Sequence, residues 1–215
     1  MSSNMIKEGD AKSENFLVEN YKGLIFDCDG TLINSMEYYY NGWIPLYQKH
    51  GLKFPRERFY ALAGVPVRKI IEIVLEENNK TVDAILIDSI LEEKKLINSN
   101  RRANGEAPTE ITCVTKIVKE LYGKLPIAVA SSGQKFLVQE DLKNHDLLKY
   151  FDAVVTVEDV AKGKPAPDLY LEACKRINVC PEHCIGYEDA VLGIESLYAA
   201  NMDAVNVTEF KGYPH

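Results

Sequence analysis

Six residues of this 215-residue chain have the types and the placement to do chemistry together. Asp27 and Asp29 follow directly on the apolar run Leu24-Ile25-Phe26, and Ser131 follows Ile127-Ala128-Val129-Ala130. Lys164 lies in the loop Lys162-Gly163-Lys164-Pro165-Ala166-Pro167 after Ala153-Val154-Val155-Thr156, and Glu188 with Asp189 ends Cys184-Ile185-Gly186-Tyr187. Short apolar runs bounded by turn signals read as buried strands. In a parallel sheet their ends share one carboxyl rim, which is where open α/β sheets bind ligands. Asp27 and Asp29 crowd two like charges, which is unfavourable unless something cationic compensates them. A hard divalent ion such as Mg²⁺ prefers oxygen ligands and often joins one or two carboxylates to a substrate phosphate. Carboxylates for a metal, a hydroxyl at a helix N-terminus and one lysine suit a phosphate and its cation.

Each residue also has a plainer use. Asp favours turns through its own side-chain to backbone bonds, which would account for Asp27 and Asp29. Ser131 could only cap the following helix, Lys164 could be a solvated loop lysine with Lys162 as its competitor, and Glu188 and Asp189 could be helix-start acids. The group Cys180, His183 and Cys184 invites a zinc reading but lacks a second ligand pair at metal-site spacing, so ordinary thiols and a surface histidine are expected.

The elements that must position these residues follow from the apolar pattern. From Thr112 onward helix and strand alternate: helices over Thr112 to Tyr122, Lys135 to Asn144 and Asp168 to Ile177, and a final strand Ala204 to Val207. That alternation requires a parallel sheet with helices on both faces. Between about Ser35 and Asn104 no strand is convincing. Tyr40, Trp43, Ile44 and Tyr47, then Ile70, Ile71, Val74 and Leu75, then Ile87, Ile90, Leu91 and Leu96 recur at helical spacing. Pro45 could kink the first of these helices, and the Gly64-Val65-Pro66 turn separates the second helix region from the third. The expectation is an α/β core of residues 21–35 and 105–215, with residues 36–104 inserted as a helical unit. Residues 1–20 are polar and mixed in charge, so a disordered tail is expected there.

Composition narrows the partners. A net charge of −7 with no basic run longer than Arg101-Arg102 argues against a nucleic-acid partner held by phosphate contacts. No apolar stretch approaches the roughly 20 residues needed to span a bilayer. Five scattered cysteines and no secretory pattern point to reduced thiols in the cytoplasm, and a monomer is expected.

Asp27-Cys28-Asp29-Gly30-Thr31, then Ser131, Lys164 and Glu188-Asp189 in that order, resembles the four-motif signature of the haloacid-dehalogenase superfamily of phosphotransferases. The resemblance runs from about Tyr21 to Val207. A helical insertion after the first motif is similar to the cap of the subgroup containing β-phosphoglucomutase and sugar-phosphate phosphatases. Lys164-Pro165-Ala166-Pro167-Asp168, Glu188-Asp189-Ala190 and Ala199-Ala200-Asn201-Met202-Asp203-Ala204-Val205 most resemble fructose-1-phosphate phosphatase-like proteins. The resemblance implies a Rossmann-like core with an inserted cap and a Mg²⁺-dependent reaction on a small phosphorylated metabolite. It makes Asp27 the nucleophile that forms an aspartyl phosphate and Asp29 the general acid and then base. It places Mg²⁺ on Asp27, the backbone carbonyl of Asp29 and Asp189, with Glu188 in or next to the shell. Ser131, with Ser132 beside it, and Lys164 would grip the phosphate oxygens.

Three functions stay open at this point: a phosphatase, a phosphosugar mutase and a catalytically silent binding protein. Tyr39 falls where the mutase and the similar phosphatases carry a histidine. Tyrosine, with an ordinary pKa near 10, cannot relay protons at neutral pH as histidine does. That departure weighs most against the mutase. Substrate choice is expected in the segment Ala63 to Lys69, where Arg68 and Lys69 could hold a hydroxyl or a second anionic group, or equally be a solvated pair.

Overall fold

The computed structural model describes residues 4–62 and 65–214. The chain divides into two compact units, Met1–Asn34 with Thr109–His215, and Ser35–Pro108.

In the first unit the N-terminal residues are folded from Asn4 onward. Met5 pairs in parallel with Ala204, and short helices α1 (Glu8–Ala11) and α2 (Glu14–Asn20) follow, the second capped by the Ser13 hydroxyl. Ala11 and Leu17 have no exposed surface. The expected disordered tail is therefore corrected. The residues it packs on the core, Ile6, Ala11, Phe16 and Leu17, form no single 3.6-residue stripe. They align on the core only because the chain breaks between two helices at Lys12-Ser13.

Strand β1 (Gly23–Phe26) follows, then the two-residue β2 (Ile33–Asn34), after which the chain enters the second unit. There four helices succeed one another: α3 (Ser35–His50), α4 (Arg56–Ala61), α5 (Val67–Glu77) and α6 (Ala84–Ala103). Helix α3 runs on through Pro45. Trp43, Leu46, Phe54, Phe59, Ile71 and Val74 belong to the core of this unit. The short α4, of which only Phe59 is buried, is too brief to register as a periodic pattern. Ala63 and Gly64, which head the expected specificity segment and the expected turn, lie outside the described residues.

The chain returns through β3 (Thr109–Glu110), antiparallel to β2. This ribbon belongs to the first unit, which breaks off at Asn34 and resumes at Thr109. The remaining elements are α7 (Thr112–Leu121), β4 (Ile127–Ser131), α8 (Lys135–Asn144), β5 (Ala153–Thr156), α9 (Asp168–Arg176), β6 (Cys184–Glu188), α10 (Val191–Ala199) and β7 (Asp203–Asn206). The sheet runs β5-β4-β1-β6-β7 with every pairing parallel, as the alternation requires. Successive side chains of a strand point to opposite faces. Leu24 and Phe26 accordingly pack with Leu17, Val114, Ile117 and Leu142, whereas Ile25 packs with Leu169, Tyr170 and Leu197. Both faces of β1 are buried, so it reads as a continuous apolar run instead of an alternating one.

Candidate active site

The site is assembled where β1, β4 and β6 end. Asp27 continues the ladder by one residue, its N–H donating to the Tyr187 carbonyl at 3.0 Å, so its carboxylate starts from a fixed backbone. The chain then folds around the Cys28 carbonyl, which accepts from the N–H groups of Thr31, Leu32 and Ile33 at 3.3, 2.9 and 2.9 Å. That turn needs Gly30 at φ +85°, in the left-handed region. A side chain there would also collide, since a Cβ would lie 2.2 Å from Asp189 Oδ2.

At the end of β4 the buried Ser131 hydroxyl accepts from the Gly133 N–H at 3.0 Å. A Cβ on Gly133 would meet Asp29 Oδ2 and Ser131 Oγ, each at 3.2 Å, so the Asp29 carboxyl and the Ser131 hydroxyl share one glycine-lined place. Ser132 beside it is exposed.

The ammonium of Lys164, with a side chain only 9% exposed, donates to Asp27 Oδ1 and, at 2.6 Å, to Glu188 Oε1. The loop carrying it is tied to α10, where the Ser196 hydroxyl donates to the Ala166 carbonyl at 2.6 Å. Lys162 is exposed. Glu188, 1% exposed, has both oxygens engaged. Oε1 accepts from Lys164 and, at 2.9 Å, from the Tyr170 hydroxyl, while Oε2 accepts from the N–H groups of Asp189 and Ala190, each at 2.9 Å. The carboxylate fits only because residue 193 is glycine, where a Cβ would stand 1.8 Å from Oε1.

One carboxylate oxygen from each of Asp27, Glu188 and Asp189 lies within 4.8 Å of the others. Burial pushes the Asp27 carboxyl well above the usual carboxylate range, with Lys164 opposing and Glu188 and Asp189 adding to the rise. Burial and then Glu188 push Asp189 up to about 7. Burial acts against the charge of Lys164, but Asp27 and Glu188 more than offset it and hold the ammonium well above its ordinary value. Three carboxylates face one ammonium, a surplus of two negative charges when all are ionised, and a hard divalent cation matches that surplus with the oxygen donors it prefers.

Residues 24–207 match the family described as haloacid dehalogenase-like hydrolase. The chain is a haloacid dehalogenase-like hydrolase. Among curated members it is 32% identical over 191 residues to the fructose-1-phosphate phosphatase YqaB of Escherichia coli, covering 89% of this chain and 98% of that one. It is 28% identical to a phosphorylated carbohydrates phosphatase of Thermotoga maritima, covering 86% and 83% of the two chains. A solved haloacid dehalogenase-type hydrolase of Entamoeba histolytica superposes with a TM-score of 0.72 at 25% identity, covering 88% of this chain and 86% of that one. By family the chain is a phosphoric monoester hydrolase.

The fold of this hydrolase thus brings together Asp27, Asp29, Ser131, Lys164, Glu188 and Asp189. Arg68 and Lys69 lie on α5 of the second unit, both exposed, Arg68 paired with Asp88 and Lys69 with Glu72 at 2.9 Å. Two participants are not distinguishable in the sequence. Tyr170 reads as an ordinary core aromatic of α9, yet its ring lies 5.1 Å from the Lys164 ammonium and its hydroxyl reaches Glu188. Gly193 is an isolated helix glycine whose purpose shows only once Glu188 is seen against it.

Proposed function

We propose that this hydrolase removes phosphate from a small sugar or polyol phosphate, with Mg²⁺, through an aspartyl-phosphate intermediate, in the cytoplasm. The observation that carries the reading is the buried ammonium of Lys164, shared between Asp27 and Glu188 beside Asp189. Curated relatives that act on phosphorylated carbohydrates support the substrate class.

Asp27 is the nucleophile. Its carboxylate attacks phosphorus while the bond from phosphorus to the ester oxygen breaks. Asp29 donates a proton to the departing alcohol and then takes one from water, which attacks the aspartyl phosphate and frees inorganic phosphate and Asp27. Ser131 and Ser132 offer hydroxyls, and Lys164 its ammonium, to the phosphoryl oxygens, where charge builds up. Asp27, Asp189 and the Asp29 backbone carbonyl would hold the cation, with Glu188 fixing their surroundings, and bound there it neutralises charge on the phosphoryl group. Arg68 and Lys69 are proposed as the specificity residues of the cap.

The test is phosphate release from a panel of phosphorylated sugars, polyols and nucleotides with and without Mg²⁺, together with a mutase assay on β-glucose 1-phosphate plus a bisphosphate primer. Mg²⁺-dependent release from a carbohydrate phosphate is expected. A panel in which nothing turns over, or glucose 6-phosphate formed faster than phosphate is released, would end this reading.

A further inference from the structure

The family match spans residues 24–207, yet the structure carries the chain past it at both ends and brings those ends back to the site. The Tyr213 hydroxyl donates to the Gly30 carbonyl at 2.7 Å. Gly30 and Thr31 share one peptide plane. Its carbonyl is held by Tyr213, and its N–H, that of Thr31, closes on the Cys28 carbonyl at 3.3 Å. The Gly30 Cα faces the Asp189 carboxylate so closely that a Cβ would stand 2.2 Å from Oδ2, and the Thr31 hydroxyl donates to Asp189 Oδ1 at 3.4 Å. A glycine in the left-handed region is the least restrained residue a loop can use. A bond that fixes its peptide therefore fixes how far the loop stands from Asp189.

The segment that presents Tyr213 is itself anchored. The Lys211 N–H donates to Glu8 Oε1 at 2.9 Å, and the Lys12 ammonium lies 4.0 Å from the centre of the Phe210 ring. Helix α1, which contributes Glu8 and Ala11, is held in turn by the Tyr187 hydroxyl, which donates to the Ala11 carbonyl at 2.7 Å one residue before Glu188.

We propose that Tyr213 is a positioning residue for the cation site. The two chain ends form a brace, and its last contact holds the Gly30 peptide, and through it the Asp29 carbonyl and the Asp189 carboxylate, at the separation that suits a divalent cation. This inference rests on the reading that Asp27 and Asp189 hold the cation.

The experiment uses the full chain and compares Tyr213→Phe, a truncation that removes Tyr213 onward, and Asp189→Ala. Mn²⁺ affinity is measured by electron paramagnetic resonance, the Mg²⁺ concentration for half-maximal phosphate release by titration, and melting temperature alongside. Partners outside the coordination shell commonly change metal affinity by 10–100-fold, and a single neutral hydrogen bond one peptide further out is expected to change it by about fivefold. Tyr213→Phe and the truncation should both weaken Mn²⁺ binding and raise the Mg²⁺ requirement by about that factor, with kcat at saturating Mg²⁺ unchanged. Wild-type Mn²⁺ affinity in Tyr213→Phe, whatever its melting temperature, overturns the proposal, as does a fall in kcat that Mg²⁺ does not restore. Should the truncated chain fail to fold, Tyr213→Phe alone decides. Wild-type Mn²⁺ affinity in Asp189→Ala would instead overturn the cation site itself, so the two failures are distinct.

Discussion

Replacing Gly193 with alanine tests the packing behind the lysine, because two well-understood effects predict opposite signs. Gly193 lies within α10, and in a helix interior alanine is favoured over glycine by about 1 kcal/mol. Propensity alone therefore makes Gly193→Ala stabilising. The structure says otherwise, since the new Cβ would lie 1.8 Å from Glu188 Oε1, 2.0 Å from its Cδ and 2.5 Å from Oε2. The carboxylate has to move, and at 1% exposure there is no solvent to receive it. Movement strains four bonds, from Lys164, Tyr170 and the N–H groups of Asp189 and Ala190. A buried polar group left without its partner costs roughly 1–3 kcal/mol. With two bonds lost and the propensity gain set against them, the net destabilisation is about 1–5 kcal/mol. For a chain of this size each kcal/mol is worth about 2–4 °C in melting temperature. Phosphate release should fall by about 10- to 100-fold, because Lys164 loses the anchor that aims it. The double variant with Glu188→Ala is decisive, as it removes the obstacle and should return the alanine to neutral or stabilising. Thermal or urea denaturation of the four proteins of the cycle measures this directly. If Gly193→Ala costs as much without Glu188 as with it, the clash is not the cause and the account of Glu188 given above is wrong.

Asp27→Asn should abolish turnover while keeping the melting temperature at or above that of the parent, because the amide removes a buried carboxylate whose desolvation is unfavourable; near-normal phosphate release by this variant would rule out the covalent route. Chelation should inactivate the enzyme reversibly, and Asp189→Ala should raise the Mg²⁺ needed for half-maximal activity by about 10-fold or more, read from a Mg²⁺ titration of initial rates. Asp159 supplies the pH dependence. Burial opposes its ionisation, but the Arg176 guanidinium at 2.9 Å, the Thr156 N–H and hydroxyl and Lys135 hold its carboxyl below the usual range. A depressed carboxyl contributes stability that is complete above the unfolded value near 4 and is lost as pH falls through the folded value. The stability gap between the parent and Asp159→Asn should therefore be constant at neutral pH and narrow progressively as pH falls below about 4, and a gap that did not narrow between pH 4 and pH 2 would refute the assignment.

The sequence exposed the sheet and the site for one physical reason and hid other parts for another. Strands buried on both faces are unbroken apolar runs, so β1, β4 and β6 stand out, and a charged or hydroxyl residue ending such a run is conspicuous. Asp27, Ser131 and Glu188 are legible in this way. Lys164 was legible only as one of two loop lysines, since its selection over Lys162 depends on where a loop returns. The N-terminal helices were not legible because Ala11 and Leu17 are buried one at a time on a surface made by distant strands. The β2–β3 ribbon is two residues on each side, shorter than any periodicity can register. Tyr170 and Gly193 carry no signal of their own in the sequence because their roles are defined by a partner. An aromatic in a helix and a glycine in a helix look alike whether or not a carboxylate sits against them.

The pairing of Lys164 with two carboxylates bears on how one lysine could serve both halves of the proposed covalent reaction. A buried ammonium with one partner would lose its charge compensation as soon as that partner became an ester, and burial would then drive off its proton. On the covalent route Asp27 is that partner, and phosphorylation takes its Oδ1 or Oδ2 out of the pairing. Glu188 is not consumed. Its Oε1 keeps hold of the ammonium, supported by the Tyr170 hydroxyl on the same oxygen and by two backbone N–H groups on the other. The lysine can then turn from the Asp27 carboxylate to the phosphoryl oxygens that replace it and still be protonated when water attacks. Breaking one side of a buried ion pair usually leaves an uncompensated charge that is strongly destabilising. Here the second carboxylate removes that penalty. It accounts for a carboxylate with both oxygens already engaged by protein donors being held so firmly against Lys164.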